Sequence, residues 1–181
     1  MSTLSPLAVA SIVAAAAVAA VSVSAQTSMP PPSATAKASL KATTAPGAQG
    51  VSGDFTLSQR GTLVVVEGTV RGLAPNSEHG FHVHENADCS GDGKAAGEHF
   101  NPDRNPHAHP GQKMRHPGAL FNLKADANGV ASFRQEVDTV TLSPGKYAVT
   151  GKPLVVHAKA DDYASQPSGD AGDRIACGLI G

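Results

Sequence analysis

An excess of one charge is what this chain most plainly lacks. Its 181 residues carry 14 Lys plus Arg against 15 Asp plus Glu. No broad electrostatic claim on nucleic acid or an anionic membrane follows, and the partner is expected to be small. Cysteine is scarce: Cys89 and Cys177 are the only two. In a chain that reads as exported, they are expected to form one disulfide closing a long loop, which leaves no thiolate free for a metal. A convincing amphipathic helical period is also missing, so the expected class is an all-β sandwich or barrel.

Lys and Arg are absent ahead of the uncharged apolar run at residues 7–23, leaving only the α-amino group as a leading charge. The run is rich in Ala and Val and closes on Val23-Ser24-Ala25, a small-residue pattern of the kind a signal peptidase cleaves. A transmembrane anchor is the alternative, but the run is short and Ala-rich where a span needs about 20 strongly apolar residues. Residues 1–25 are therefore read as a signal peptide, and no membrane span is expected in the mature chain. Residues 26–35, with Pro30-Pro31-Pro32, read as a stiff solvated tether. Cleavage after Ala25 leaves 156 residues, enough for one domain, placed at residues 36–181.

Within that domain, residues 36–43 alternate small apolar with polar side chains, the period-two pattern of a half-buried strand. Residues 51–58 and 62–71 flank Gln59-Arg60-Gly61 as a hairpin. Further strands are expected at 79–85, 121–126, 130–137, 154–157 and 175–180, about eight in all. Two stretches resist a strand reading, residues 86–119 and 158–173, both rich in Gly, Pro, Asp, Asn and His. Loops this long are uncommon in compact domains unless functional or disordered. Four of the eight histidines lie in the first, and another immediately precedes the second.

Gly80-Phe81-His82-Val83-His84-Glu85 organises the rest. Strand side chains alternate between faces, so His82 and His84 point the same way and can share one metal ion. His99, His107, His109, His116 and His157 complete the inventory, with His79 alongside. Neutral imidazole suits copper and zinc, and copper(II) heads the divalent affinity series. Taken singly, each histidine is as well explained by an ordinary hydrogen-bonded or surface role.

Several ordered motifs carry a resemblance to a known family: G-F-H-V-H-E at 80–85, E-N-A-D-C at 85–89, H-F-N-P at 99–102, V-V-H at 155–157 and G-D-R-I-A-C-G-L-I-G at 172–181. Over residues 36–181 the chain resembles the copper/zinc superoxide dismutases, in particular their secreted bacterial branch. The resemblance implies an eight-stranded Greek-key barrel or sandwich, export to the bacterial periplasm, and conversion of superoxide to dioxygen and hydrogen peroxide. It places copper on His82, His84, His99 and His157, with His99 also bridging to zinc and carrying a proton. It places zinc on His99, His107 and His116 and completes that site with an aspartate, whose position falls on Ala119. A weakened zinc site is expected, with His109 or water as substitute ligand. Asp161 matches a carboxylate that orients ligands of both metals, and Arg174 an arginine that steers and docks the anion. Cys89 and Cys177 match the family disulfide, and His79 a structural histidine bonded to backbone. The branch includes monomers and homodimers.

Two rivals follow from the same residues. A non-catalytic copper-binding protein on this scaffold would explain Ala119, whereas the full copper set and Arg174 favour catalysis. A zinc hydrolase would use three histidines and an open position.

Overall fold

The computed structural model describes residues 31–181; the expected signal peptide and the first half of the expected tether lie outside the described residues. Nine antiparallel strands carry the fold: β1 (Ala34–Ala42), β2 (Ser52–Arg60), β3 (Leu63–Arg71), β4 (Glu78–His79), β5 (Phe81–Val83), β6 (Leu123–Lys124), β7 (Ala131–Val137), β8 (Pro153–His157) and β9 (Arg174–Leu179). Among the described residues there is no α-helix, only one 3-10 turn at Lys94–Ala96. The all-β expectation holds.

Seven strands form one sheet in the order β5-β8-β9-β1-β2-β3-β7, while β4 and β6 make a two-stranded ribbon. Neighbours such as β3 with β7, and β9 with β1, are far apart in sequence, which is the crossover signature of a Greek key. The ribbon links the two edge strands of the sheet along the chain. Its strand β4 runs on through Gly80 into edge strand β5, and β6 leads through a turn closed by Asp126 N–H on the Val130 carbonyl into edge strand β7.

The strand expected at 79–85 is thus two strands in different sheets. Gly80 donates to the Lys159 carbonyl at 2.7 Å, and its own carbonyl accepts from His157 at 2.9 Å. A Cβ at residue 80 would lie 2.8 Å from the Ala171 Cβ, so only glycine lets the chain pass this close to the neighbouring loop. The strand expected at 121–126 shrinks to Leu123–Lys124 because its first backbone donors are taken by side chains: Phe121 N–H by Gln135 Oε1 and Asn122 N–H by the Tyr163 hydroxyl. Strand β1 starts two residues earlier than the tether boundary at 35 allowed.

Alternation does the rest. On β1, Ala36, Ala38 and Leu40 are buried between exposed Lys37, Ser39 and Lys41, which sets the register against β2 because a one-residue slip would expose the apolar set. Phe55, Phe81 and Phe133 pack with ring centroids 4.9 to 6.2 Å apart, anchoring β5 to β2 and β7 through large buried apolar surfaces. The two long loops lie where expected, joined to the sheet at His157, Arg174 and the Cys89–Cys177 disulfide, whose Cα atoms are 5.8 Å apart. That bond ties the first loop to β9.

Candidate metal centre

Each expected ligand is delivered by a defined piece of backbone. His82 is on β5, paired with Val155 of β8, and an isolated bridge sets it opposite Ala119 on the other side. His84 follows β5 and forms a bridge with His99, drawing the first long loop back over the sheet. His157 ends β8 opposite Arg174 at the start of β9. The nitrogens of His82, His84, His99 and His157 converge within 4.8 Å of one another, all four side chains buried. In a second group, His99, His107 and His116, the nitrogens likewise lie within 4.8 Å of one another. His99 is the shared member.

Hydrogen bonds fix which nitrogen of each ring is free. His84 Nδ1 faces the Gly97 carbonyl at 3.0 Å and His157 Nδ1 the Gly172 carbonyl at 3.2 Å. A carbonyl only accepts, so both Nδ1 atoms carry the proton and both Nε2 atoms present lone pairs. Those two Nε2 atoms are 3.2 Å apart. Asp161 receives His82 Nε2–H on Oδ2 at 2.7 Å and His107 Nε2–H on Oδ1 at 2.8 Å. The Nδ1 atoms of His82, His107 and His116, and both nitrogens of His99, are buried with no protein partner.

Such orphaned nitrogens are costly unless a cation takes their lone pairs. The donor set therefore fits two ions, four imidazoles for one and three for the other, joined through His99 on one side and through Asp161 on the other. Outer partners that fix tautomer and ring direction are the usual accompaniment of ligating histidines.

Burial keeps the rings of His82, His84, His99, His116 and His157 neutral. Desolvation is the main cause for each: it pushes His84 down to about 3, and His116 and His157 down to about 4. His82 and His99 move in the same direction, reinforced by the neighbouring rings. Neutral imidazole is the form that binds a metal.

Arg174 stands beside this group. Its guanidinium donates to the carbonyls of Gly93, Lys94 and Gly97, and the Gly97 carbonyl is the one that orients His84. One oxygen thus locks the guanidinium to a ring of the four-histidine group, and the Arg174 charge lowers the pKa of both His84 and His157.

The expected substitute ligand His109 does not join the site. Its ring is exposed and packs on Phe121 and Tyr163, with centroids 5.4 and 4.8 Å away, while Nδ1 accepts the Gly111 N–H. His79 takes the backbone role foreseen: Nδ1–H donates to the His157 carbonyl at 2.7 Å.

Sequence reasoning missed three residues. Asn122 grips the backbone of Asp161 from both sides, Nδ2 on its carbonyl at 2.9 Å and Oδ1 on its N–H at 3.0 Å. Gln166 does the same for His107, and Gly169 lies under the Asp161–His107 contact. Single amides in loops leave no periodic or spacing signal.

The copper/zinc superoxide dismutase family model matches residues 51–180. The chain belongs to the copper/zinc superoxide dismutase family. A Cu-Zn superoxide dismutase of Candida glabrata is 41% identical over 145 residues, covering 75% of this chain and 92% of the relative. An extracellular Cu-Zn superoxide dismutase of Haemonchus contortus is 39% identical over 135 residues, 71% of this chain and 73% of the relative. Among solved structures, that of the clock protein EA4 is similar with a TM-score of 0.73 and 38% identity, covering 86% of this chain and 98% of that one. Membership makes the chain an oxidoreductase acting on superoxide, with copper and zinc as the family's metals. No helix among the described residues is long and apolar enough to cross a membrane, and some of the relatives are named as extracellular.

Proposed function

We propose that His82, His84, His99 and His157 hold copper and dismutate superoxide, with Arg174 docking the anion, and that the second group holds little zinc. The observation that carries the copper site is the convergence of four neutral, buried imidazoles whose free nitrogens have only one another to face. Copper bound there would supply the one-electron exchange that zinc, being redox-inert, cannot. Two superoxide ions and two protons give one dioxygen and one hydrogen peroxide.

The chain's own residues supply the rest. Arg174 is permanently charged and held by three carbonyls, so its guanidinium is pre-aimed, draws a small anion inward and needs no reordering when the anion arrives. His99 has two partnerless nitrogens, one group on each side of it, and is the ring placed to hand a proton to the product. Asp161 keeps the His82 and His107 rings in register so that their Nδ1 atoms stay turned inward. No protein nucleophile is needed.

Ala119 supports the reading of the second group. It stands three residues after His116, at the position the family resemblance assigns to the zinc aspartate, and is only 1% exposed. Among the described residues the group is three imidazoles without a carboxylate, so both a ligand and a compensating negative charge are lost. Metal content by mass spectrometry, after purification under equal copper and zinc supply, tests this: stoichiometric zinc refutes the weakened site, and absence of copper refutes the copper site. A superoxide disproportionation assay with Arg174→Ala as comparison separates an enzyme from a copper store.

The finer placement, in the secreted bacterial branch and thus the periplasm, is supported by the leader-like residues 1–25 and the disulfide; cell fractionation checks it. A homodimer is tested by sedimentation of the mature chain.

A further inference from the structure

We infer that Gln166 is a positioning residue for the second histidine group, holding His107 so that its Nδ1 faces the cation; this rests on reading that group as a metal site. His107 lies in residues 101–118, where no strand ladder serves the backbone. Its N–H donates to Gln166 Oε1 at 2.8 Å, and its carbonyl accepts from Gln166 Nε2 at 2.7 Å. The other Nε2 proton goes to the Ala164 carbonyl at 3.1 Å. Turning the amide over would set its NH2 group against the His107 N–H, so its orientation is fixed by the partners.

The same loop closes on the ring from a second direction. A Cβ built on Gly169, at φ +71°, would fall 1.9 Å from Asp161 Oδ1 and 2.7 Å from His107 Nε2. Only glycine allows that approach. The His107 ring is therefore held at its far nitrogen by Asp161 and at its backbone by Gln166. Asp161 alone would leave the ring free to swing about the Nε2 to Oδ1 contact; the amide pair removes that freedom. Gln166 also lines one surface cleft with His99 and His116, the other two members of the group. Where three imidazoles must bind without a carboxylate, the direction of each counts more, as it does for outer partners of metal ligands generally.

Three rings of the four-histidine group are held without Gln166: His82 is set by Asp161, His84 by Gly97 and His157 by Gly172, while His99 is shared by the two groups. This asymmetry gives the test. Copper-loaded wild type, Gln166→Ala and Gln166→Glu are titrated with cobalt(II), an optical stand-in for zinc, while the copper(II) electron paramagnetic resonance spectrum is recorded. In the metal-free proteins, hydrogen exchange of the His107 Nε2 proton is followed by 15N NMR against the His79 Nδ1 proton.

Gln166→Ala is expected to weaken cobalt binding about 10-fold, with the copper spectrum recorded before cobalt addition the same as in wild type. His107 exchange should accelerate by a similar factor while His79 does not move. Gln166→Glu, which keeps the acceptor for the His107 N–H and loses the donor, should fall between. Unchanged cobalt affinity, or a copper spectrum that differs from wild type before any cobalt is added, overturns the role. If wild type takes up no cobalt, the metal reading of the second group fails, and the His107 proton decides the positioning role alone: unchanged exchange overturns it.

Discussion

The Nε2 atoms of His84 and His157 lie 3.2 Å apart, and neither can donate to the other, because each ring has its proton on Nδ1 facing a backbone carbonyl. Two lone pairs at that separation in a buried place repel unless a cation lies between them. His84→Ala should therefore stabilise the metal-free protein relative to wild type, or cost it little, while abolishing copper binding. Thermal unfolding with and without copper checks this: copper should raise the wild-type midpoint and leave the variant's unchanged.

Arg174→Ala removes a guanidinium whose hydrogen bonds, among the described residues, go to carbonyls of the first loop. Copper content should stay the same and the rate at limiting superoxide should fall at least about 10-fold, the low end of what steering and docking supply. Added salt should slow wild type far more than the variant; equal salt sensitivity would show that the guanidinium does not guide the anion.

Ala119→Asp should restore zinc. The position is buried and its N–H is tied to the His116 carbonyl at 3.0 Å, so a carboxylate there is delivered beside the His116 ring. Zinc affinity, read by chelator competition, should rise by at least the roughly 10-fold that even an outer partner is worth. No rise would mean that the aspartate position is not this one.

In the metal-free protein, stability should fall as pH falls below about 6.5, the ordinary histidine value. Folding depresses His84 to about 3 and His116 and His157 to about 4. Between those values and about 6.5 the unfolded chain binds protons that the folded chain refuses, so stability rises with pH across that window. The loss on acidification is complete only below about pH 3. Denaturant midpoints from pH 7.5 to 4 check the sign; a flat profile would mean that the rings are not buried as neutral imidazoles.

Replacing Cys89 and Cys177 together by Ser should lower stability by about 2–4 kcal/mol, since the bond closes a separation of 88 residues. It should also lower activity with copper in place, because the loop it anchors carries the Gly93, Lys94 and Gly97 carbonyls that hold Arg174. Activity per bound copper, compared with wild type, separates the two effects.

Sequence alone determined the strands that obey a strict alternation, because a half-buried strand must show its period, and β1 does so residue by residue. It also put His82 and His84 on one side of the chain, since two positions apart on a strand is one face, and their nitrogens do converge. The family motifs pointed to His99, His157, Asp161, Arg174 and the cysteines. Tertiary structure alone decided the rest. Gly80 splits a strand because Ala171, 91 residues away, crowds it. His109 is excluded because its ring found Phe121 and Tyr163, although its neighbours in sequence are no different in kind from those of His107. Gln166 and Asn122 matter through backbone atoms of residues 59 and 39 positions distant. Contacts of that range depend on how two irregular loops dock, and a loop without a ladder leaves no period in the sequence to read.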